Sequence, residues 1–196
     1  VPPREPELME MEKHAQKHDF PIIGAACGYY CYQLARMINA RAIFELGSGY
    51  GYSTAWFAKA VKENGGGVVH HTVWDDELSK QAAGHLSKLG SADVVKFHNA
   101  EAVETLRQTP GPFDIIFNDI DKDGYPDSLP VIKGKLRSGG ILIIDNMIWH
   151  GQILDPNDHE ETTEAIRRFT HTITTDPDWI VSLTPMRDGM IVAYKK

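Results

Sequence analysis

Short apolar segments alternate with longer amphipathic segments along most of the chain. Seven segments have the length of a strand, at 42–44, 68–74, 94–97, 113–117, 141–144, 180–183 and 190–194. A run that is apolar at nearly every position, as at 113–117, is typical of a strand covered on both faces. Because helical patterns separate the first five segments, we predict an α/β fold with a doubly wound, mostly parallel, seven-stranded sheet.

The two ends of the chain add a helical cover and a hairpin to this sheet. Residues 5–18 space Leu8, Met11 and Ala15 as in an amphipathic helix, and a second helix is predicted over 22–39. The last two strands are close in sequence, so they predict an antiparallel hairpin at the sheet edge. With 196 residues, we predict one domain (1–196), with 1–40 as an N-terminal helical cover and 41–196 as the sheet core.

A glycine-rich loop follows the first predicted strand. Residues 45–53 read Glu-Leu-Gly-Ser-Gly-Tyr-Gly-Tyr-Ser, and we expect Ser53 to cap the helix that follows. Glycines let the backbone turn and approach a ligand closely, so a nucleotide or nucleoside cofactor is the expected occupant. A dinucleotide fingerprint needs a glycine where Tyr52 stands, which disfavours a nicotinamide-dependent oxidoreductase. The simplest alternative is a loop that serves only strand-to-helix packing.

Carboxylates stand at the ends of the fourth and fifth predicted strands. The fourth strand is followed by Asn118 and Asp119, and the fifth by Asp145 and Asn146. If these strands are neighbours in the sheet, their ends lie about 5 Å apart. Two carboxylates and an amide oxygen suit a hard divalent cation, above all Mg²⁺. The alternative is that each aspartate only caps the helix after it.

Composition and charge limit the classes of partner and location. A net charge of −7 argues against nucleic acid as the main partner, and no apolar run reaches the ~20 residues of a membrane span. The first residues, Val-Pro-Pro-Arg-Glu, lack the features of a secretory leader, so we expect a cytoplasmic protein with a small substrate. Cys27 and Cys31 are too few for a disulfide framework and are predicted to be buried thiols.

Three motifs together resemble the cation-dependent O-methyltransferases of the catechol and caffeoyl-coenzyme A type. They are the glycine loop at 45–53, Phe-Asn-Asp-Ile-Asp-Lys-Asp-Gly-Tyr at 117–125, and Gly-Gly-Ile-Leu-Ile-Ile-Asp-Asn at 139–146, with a similar closing segment at 185–190. The resemblance covers about residues 22–195. It implies a class I fold, S-adenosylmethionine, Mg²⁺ or another divalent cation such as Ca²⁺ or Mn²⁺, a small catechol-like hydroxyl substrate and a homodimer.

Site residues follow from the resemblance position by position. It implies Asp119, Asp145 and Asn146 as metal ligands and Lys122 as the catalytic lysine that accepts the hydroxyl proton. The residues implied for cofactor binding are Glu45, Gly47, Gly49, Ser53, Asp75, Glu101, Ala102 and Asp119. For Lys122, the alternative is a solvated loop lysine between two aspartates.

The chain departs from the family pattern at the end of the second strand. Val73 stands where the family has the acid that binds the ribose hydroxyls, and Asp75 is the nearest substitute. A catalytically inactive cofactor-binding module is therefore a further hypothesis beside the oxidoreductase. Trp149 has two interpretations, an aromatic wall for the acceptor or core packing. His70 and His71 are predicted to lie in the second strand rather than in a site.

Overall fold

The computed structural model describes residues 2–196, and their contacts form two compact units, one up to Ala102 and one from Val103 onward. All seven predicted strands are present and belong to one mixed sheet that is mostly parallel, with one antiparallel hairpin. The predicted α/β class is therefore confirmed. The single domain and its helical cover at 1–40 stay predictions.

The first unit has a parallel, three-stranded part of the sheet with helices around it. Its strands lie in the order β3-β2-β1, with Ile43 opposite Val69 and Val69 opposite Val95. Its elements are α1 (Pro6–His18), α2 (Gly24–Met37), β1 (Ala42–Leu46), α3 (Tyr52–Glu63), β2 (Val68–Val73), α4 (Asp76–Lys88) and β3 (Val95–Asn99). As the apolar spacing predicts, α1 buries Leu8, Met11 and Ala15.

The second unit carries the other four strands in the order β4-β5-β7-β6. After α5 (Ala102–Gln108), which begins at the boundary, its elements are β4 (Phe113–Asn118), α6 (Tyr125–Lys135), β5 (Leu136–Ile144), α7 (Glu161–Thr175), β6 (Trp179–Thr184) and β7 (Met190–Lys195). β4 and β5 are parallel, whereas β7 is antiparallel to both β5 and β6. The predicted terminal hairpin is thus formed by β6 and β7.

The start of β5 differs from the sequence prediction. The sequence pattern predicts the fifth strand over 141–144, but α6 ends at Lys135 and the strand already begins at Leu136. The pairing with β4 is irregular between Phe113 and Ile115. A Cβ on Gly140 would lie 3.0 Å from the Asp114 carbonyl oxygen, so glycine permits close strand contact here.

The residues before α3 and α4 determine where these two helices begin. Helix α3 begins at Tyr52 after Gly51, whose φ is 91°, so Ser53 lies inside the helix and the prediction that it caps α3 was wrong. Helix α4 begins at Asp76 because the side chain of Asp75 accepts from the backbone nitrogens of residues 77 and 78. In the part of the chain that the structure describes, every helix is too short or too polar to span a bilayer.

Candidate functional site

The glycine loop is fastened to β2 by hydrogen bonds with Thr72. The backbone nitrogen of Ser48 donates to the Thr72 carbonyl oxygen at 2.9 Å, and the Thr72 nitrogen donates to Ser48 Oγ at 3.0 Å. Gly47 N also lies 3.4 Å from Thr72 Oγ1. The loop is therefore held at the carboxyl end of two parallel strands, where ligands bind in such sheets.

Glu45 lies fully buried beneath this loop. Its carboxylate accepts a hydrogen bond from Thr54 Oγ1, which is also 3.0 Å from Nδ1 of His71. Ser53 is buried as well, at the second position of α3. The structure thus buries Glu45 and Ser53, the first and last residues of the loop, and holds Glu45 in a polar network.

Left-handed backbone explains the glycines of the loop. Gly47, Gly49 and Gly51 have φ values of 81°, 50° and 91°, which L-residues rarely adopt. A Cβ on Gly51 would lie 2.9 Å from the Cβ of Ala82 in α4. Helix packing is therefore a sufficient reason for Gly51, as the packing alternative proposed, whereas Gly47 and Gly49 shape the turn itself.

Two tyrosines of the loop anchor α1. The Tyr50 hydroxyl donates to the Met11 carbonyl oxygen at 2.9 Å, and the Tyr52 hydroxyl donates to Oε1 of Glu12 at 2.7 Å. Burial, reinforced by the charge of Glu12, raises the pKa of Tyr50 to about 12, and the pKa of Tyr52 is also raised, first by burial. Both hydroxyls therefore act as neutral donors. Tyr52 fills the position where a dinucleotide fingerprint has glycine.

The other predicted cofactor residues lie at the ends of β2 and β3. Val73 is the buried last residue of β2, and the exposed Asp75 caps α4 through Oδ1, at 2.8 Å from the nitrogen of residue 77. Glu101 is exposed in the connection after β3, and Ala102 is the buried first residue of α5. Trp74, between Val73 and Asp75, is 74% exposed.

Asp119 and Asp145 lie next to each other at the ends of neighbouring parallel strands. Asn118 is in register with Ile144, and the backbone nitrogen of Asp145 donates to the Asn118 carbonyl oxygen at 3.2 Å. Burial raises the pKa of Asp119. Burial and the negative charge of Asp119 together raise the pKa of Asp145 to about 6. The two carboxylates therefore repel each other in a poorly solvated place.

This pair and its neighbour fit a hard divalent cation. Oδ1 of Asp145 is buried and accepts no hydrogen bond from the described residues, which leaves it available as a ligand. Asn146 follows directly in the chain, and its amide oxygen is a third possible oxygen ligand. Across residues 2–196 no group of three or more His, Cys, Asp and Glu could hold a metal ion, so this candidate set depends on the asparagine.

Lys122 lies against the acidic pair rather than in solvent. Its ammonium nitrogen is 2.7 Å from Oδ1 of Asp119 and 3.0 Å from the Ile120 carbonyl oxygen. The side chain is 11% exposed, and Nζ lies 5.2 Å from the ring centre of Tyr125. The alternative of a solvated loop lysine is wrong, because the side chain is largely buried and its cation lies between a carboxylate and an aromatic ring.

Sequence reasoning gave no role to two residues that contact this site. The buried Tyr125 donates its hydroxyl to the Asp145 carbonyl oxygen at 3.0 Å. Oδ1 of Asp188, in the turn between β6 and β7, accepts a hydrogen bond from the backbone nitrogen of His150 at 2.6 Å. Both belong to segments noted for their family resemblance, and that resemblance was the only available signal.

The remaining residues singled out in the sequence are one tryptophan, two histidines and two cysteines. Trp149 is half-buried after β5 and contacts the His150 ring at a centroid distance of 5.5 Å, so it is outside the sheet core. His70 and His71 lie in β2, as predicted. Cys27 and Cys31 are buried free thiols.

The chain is similar to known proteins over nearly its whole length. A family model described as O-methyltransferase matches residues 4–196. Catechol O-methyltransferase from Niastella koreensis is 32% identical over 146 residues, covering 72% of this chain and 65% of that protein. The chain thus spans just under two thirds of that relative. Caffeoyl-CoA O-methyltransferase 1 from Eucalyptus globulus is 28% identical, and the match covers 100% of this chain and 84% of that protein.

A solved structure has the same fold. The O-methyltransferase TomG from Streptomyces achromogenes, involved in tomaymycin synthesis and crystallised in complex with S-adenosylmethionine, has a TM-score of 0.90 at 25% identity. The match covers 99% of this chain and 91% of that one.

Proposed function

The chain belongs to the O-methyltransferase family, and from this premise we propose that it transfers the methyl group of S-adenosylmethionine to a hydroxyl of a small catechol-like aromatic acceptor, assisted by a divalent cation. The observation that carries the proposal is the pair of Asp119 and Asp145, with Asn146 and Lys122 beside it. Catechol and caffeoyl-CoA, named in two relatives, support an acceptor with neighbouring hydroxyls.

The cofactor is proposed to bind at the carboxyl ends of β1, β2 and β3. Glu45, Gly47, Gly49 and Ser53 are proposed for its methionine part, and Asp75, Glu101 and Ala102 for its nucleoside part. The TomG structure in complex with S-adenosylmethionine supports the choice of cofactor. Because Oδ1 of Asp75 caps α4, the second oxygen of that carboxylate is the atom proposed to receive a ribose hydroxyl.

The metal is proposed to be held by Asp119, Asp145 and Asn146, and Mg²⁺ suits this oxygen set best, with Ca²⁺ or Mn²⁺ as alternatives. When bound, a divalent cation supplies positive charge that stabilises an oxyanion, and S-adenosylmethionine supplies an electrophilic methyl group. The unpartnered, buried Oδ1 of Asp145 supports the assignment, because a buried carboxylate oxygen without a partner is costly.

Lys122, as the neutral amine, is proposed to receive the proton of the acceptor hydroxyl at Nζ. A phenol has a pKa of about 10 and is a poor nucleophile at neutral pH while it keeps its proton. The Lys122 amine is confined by Asp119 Oδ1, the Ile120 carbonyl oxygen and the Tyr125 ring, so its position is well defined. General base catalysis of this kind contributes about 10²- to 10⁴-fold in rate.

Trp149 is proposed to line the site of the aromatic acceptor.

The two other hypotheses are less well supported. No relative or structure reported above is a nicotinamide oxidoreductase, and Tyr52 occupies a position that such an enzyme needs for glycine. An inactive module would have no need for two neighbouring carboxylates with a lysine beside them. Repulsion between the carboxylates lowers the stability of the fold. A homodimer and a cytoplasmic location stay predictions from the sequence.

The proposal is tested by incubating the protein with methyl-labelled S-adenosylmethionine and a panel of catechols and hydroxycinnamoyl thioesters. We expect label in the O-methyl product of at least one vicinal diol, loss of that product in EDTA, and its return with Mg²⁺. Matched monohydroxy compounds are the control and should remain unlabelled. Calorimetric titration with S-adenosylmethionine and with NADH separates the two cofactors; heat released by NADH alone would refute the proposal.

A further inference from the structure

The turn between β6 and β7 (residues 185–189) is bonded to the loop that follows β5 (residues 145–154). The backbone nitrogen of Ile148 donates to the Asp188 carbonyl oxygen at 2.7 Å, and that of Met147 donates to the Gly189 carbonyl oxygen at 2.9 Å. Gly189 has a φ of 80°, and a side chain there would collide with Ile148. The two segments therefore pack at backbone distance.

Asp188 uses both carboxylate oxygens on this loop. Oδ1 accepts from the backbone nitrogen of His150 at 2.6 Å, and Oδ2 lies 3.4 Å from Nδ2 of Asn146. The side chain is only 14% exposed. A single carboxylate thus contacts the candidate metal ligand and the residue after Trp149, and it joins these two parts of the loop.

The loop needs such support because three of its residues have a left-handed backbone. Asn146, Trp149 and His150 have φ values of 58°, 49° and 54°, and none is glycine. A non-glycine residue in this conformation is strained and persists only where its surroundings hold it. The hydrogen bond to the His150 nitrogen holds one of these residues directly, and the contact with the Asn146 amide holds another.

We propose that Asp188 is a positioning residue that sets the orientation of the Asn146 amide and the shape of the loop around Trp149; this inference rests on the proposed function. Since the amide nitrogen of Asn146 faces Asp188, the amide oxygen is the atom left to face a cation. Partners that orient a metal ligand in this way typically change metal affinity by about 10- to 100-fold when they are removed.

Two substitutions separate the two effects. Asp188→Ala removes both contacts. Asp188→Asn keeps an oxygen for the His150 nitrogen, but its new amide group then faces the Asn146 amide as one donor against another. In both variants the backbone bonds of Ile148 and Met147 remain, so the fold is retained. Urea unfolding of each variant verifies this.

The readouts are Mn²⁺ affinity, followed by electron paramagnetic resonance without cofactor or acceptor, and the KM for a catechol acceptor. We expect both variants to bind Mn²⁺ about 10-fold or more weakly than the parent. Only Asp188→Ala should also raise the KM, because only it releases the His150 nitrogen. Asp127→Ala removes an exposed carboxylate of α6 and is the matched control, with both readouts unchanged.

The outcomes distinguish this inference from the proposed function. Parent-like Mn²⁺ affinity in Asp188→Asn overturns the positioning role while the metal proposal stands. Failure of the parent protein itself to bind Mn²⁺ overturns the metal proposal and this inference with it. A KM that rises equally in both variants overturns the assignment of the loop shape to the bond with His150.

Discussion

The ammonium nitrogen of Lys122 lies 2.7 Å from Oδ1 of Asp119, three residues earlier in the chain. Asp119 and Asp145 are both negative and close, so this cation offsets part of their repulsion in the structure. The same nitrogen, once it has given up its own proton, is the group proposed to accept the hydroxyl proton. One side chain thus combines a structural role with a proposed chemical one, and substitutions can separate the two.

Lys122→Ala should lower kcat by about 10²- to 10⁴-fold, because the proposed proton acceptor is removed. S-adenosylmethionine affinity should be nearly unchanged. Lys122→Arg keeps the positive charge but cannot accept a proton, so it should remain as slow as the alanine variant. The measurements are steady-state kinetics with a catechol acceptor and calorimetric titration of the cofactor.

Lys133→Ala is the matched control for this prediction. Lys133 lies in the same unit and pairs with Asp176 at 2.6 Å, so the variant removes the same charge from another part of that unit. Its kcat should equal that of the parent. Full activity in Lys122→Arg would show that the lysine contributes charge and not proton transfer.

Asp145→Asn should stabilise the metal-free protein and abolish cation binding. Burial and Asp119 raise the Asp145 pKa to about 6, so the ionised carboxylate is less favourable in the folded than in the unfolded protein. Stability is therefore lost as pH rises from the ordinary aspartate pKa to about 6, and at neutral pH the loss is on the order of 3 kcal/mol. Urea unfolding in EDTA at pH 7.5 measures the gain.

The loss of function in this variant is checked by Mn²⁺ titration. Asp127→Asn, which removes an exposed carboxylate from α6, should leave both stability and Mn²⁺ affinity near those of the parent. A destabilised Asp145→Asn protein would contradict the prediction, because it would mean that the favourable interactions of the carboxylate, with the Asn146 backbone nitrogen and the charge of Lys122, outweigh its burial and its repulsion from Asp119.

The acidic pair could be predicted from sequence because parallel strands impose it. An apolar run that ends in a carboxylate places that side chain at the carboxyl edge of the sheet, and neighbouring strands bring two such ends together. Asp119 and Asp145 meet this condition, and the register of Asn118 with Ile144 confirms that their strands are neighbours. The strand count and the terminal hairpin followed from the same periodicity.

The contacts of Tyr52 and Asp188 could not be predicted in this way. Tyr52 meets Glu12 from 40 residues away, and Asp188 meets His150 from 38 residues away. A side-chain hydrogen bond between distant positions leaves no periodic trace in the sequence. The early start of β5, before the predicted 141–144, was missed for a related reason: glycine ends helices and also permits irregular strands, and only the pairing partner decides between these.

Gly51→Ala should destabilise the protein more than Gly65→Ala does. Both glycines have a φ of 91°, but a Cβ at Gly65 meets nothing within 4 Å, whereas one at Gly51 lies 2.9 Å from Ala82 Cβ. Gly65→Ala should therefore cost only the left-handed strain of about 1–2 kcal/mol. Gly51→Ala should cost this strain plus about 1–3 kcal/mol of overpacking, measured by urea unfolding.

The contact with Ala82 can be tested by a double substitution. Gly51→Ala combined with Ala82→Gly removes the colliding methyl group, so the two substitutions together should cost less than the sum of their separate effects. Additive effects would show that the methyl group of Ala82 is not the obstacle and that backbone strain alone makes Gly51 necessary.

Acid should destabilise the protein through His70 in β2. Its Nδ1 lies 2.8 Å from Nε2 of His98, and its ring stacks on that of Phe44. Burial, followed by the charges of His98 and Lys96, lowers the pKa of His70 to about 4. His70 therefore becomes protonated near pH 6.5 in the unfolded chain but only near pH 4 in the folded protein. The folding stability that is present above pH 6.5 is lost as the pH falls toward 4. For His70 alone this amounts to about 3 kcal/mol.

Replacing His70 with Asn removes this titration while keeping a polar side chain next to His98. The parent and the variant should be unfolded with urea between pH 7.5 and pH 4, and the free energy of unfolding of the variant should fall less steeply with acid below pH 6.5. His71, whose pKa burial lowers to about 3, remains in both proteins and cancels in the comparison. Equal slopes would contradict the prediction, since they would mean that His70 is protonated in the folded protein as readily as in the unfolded chain.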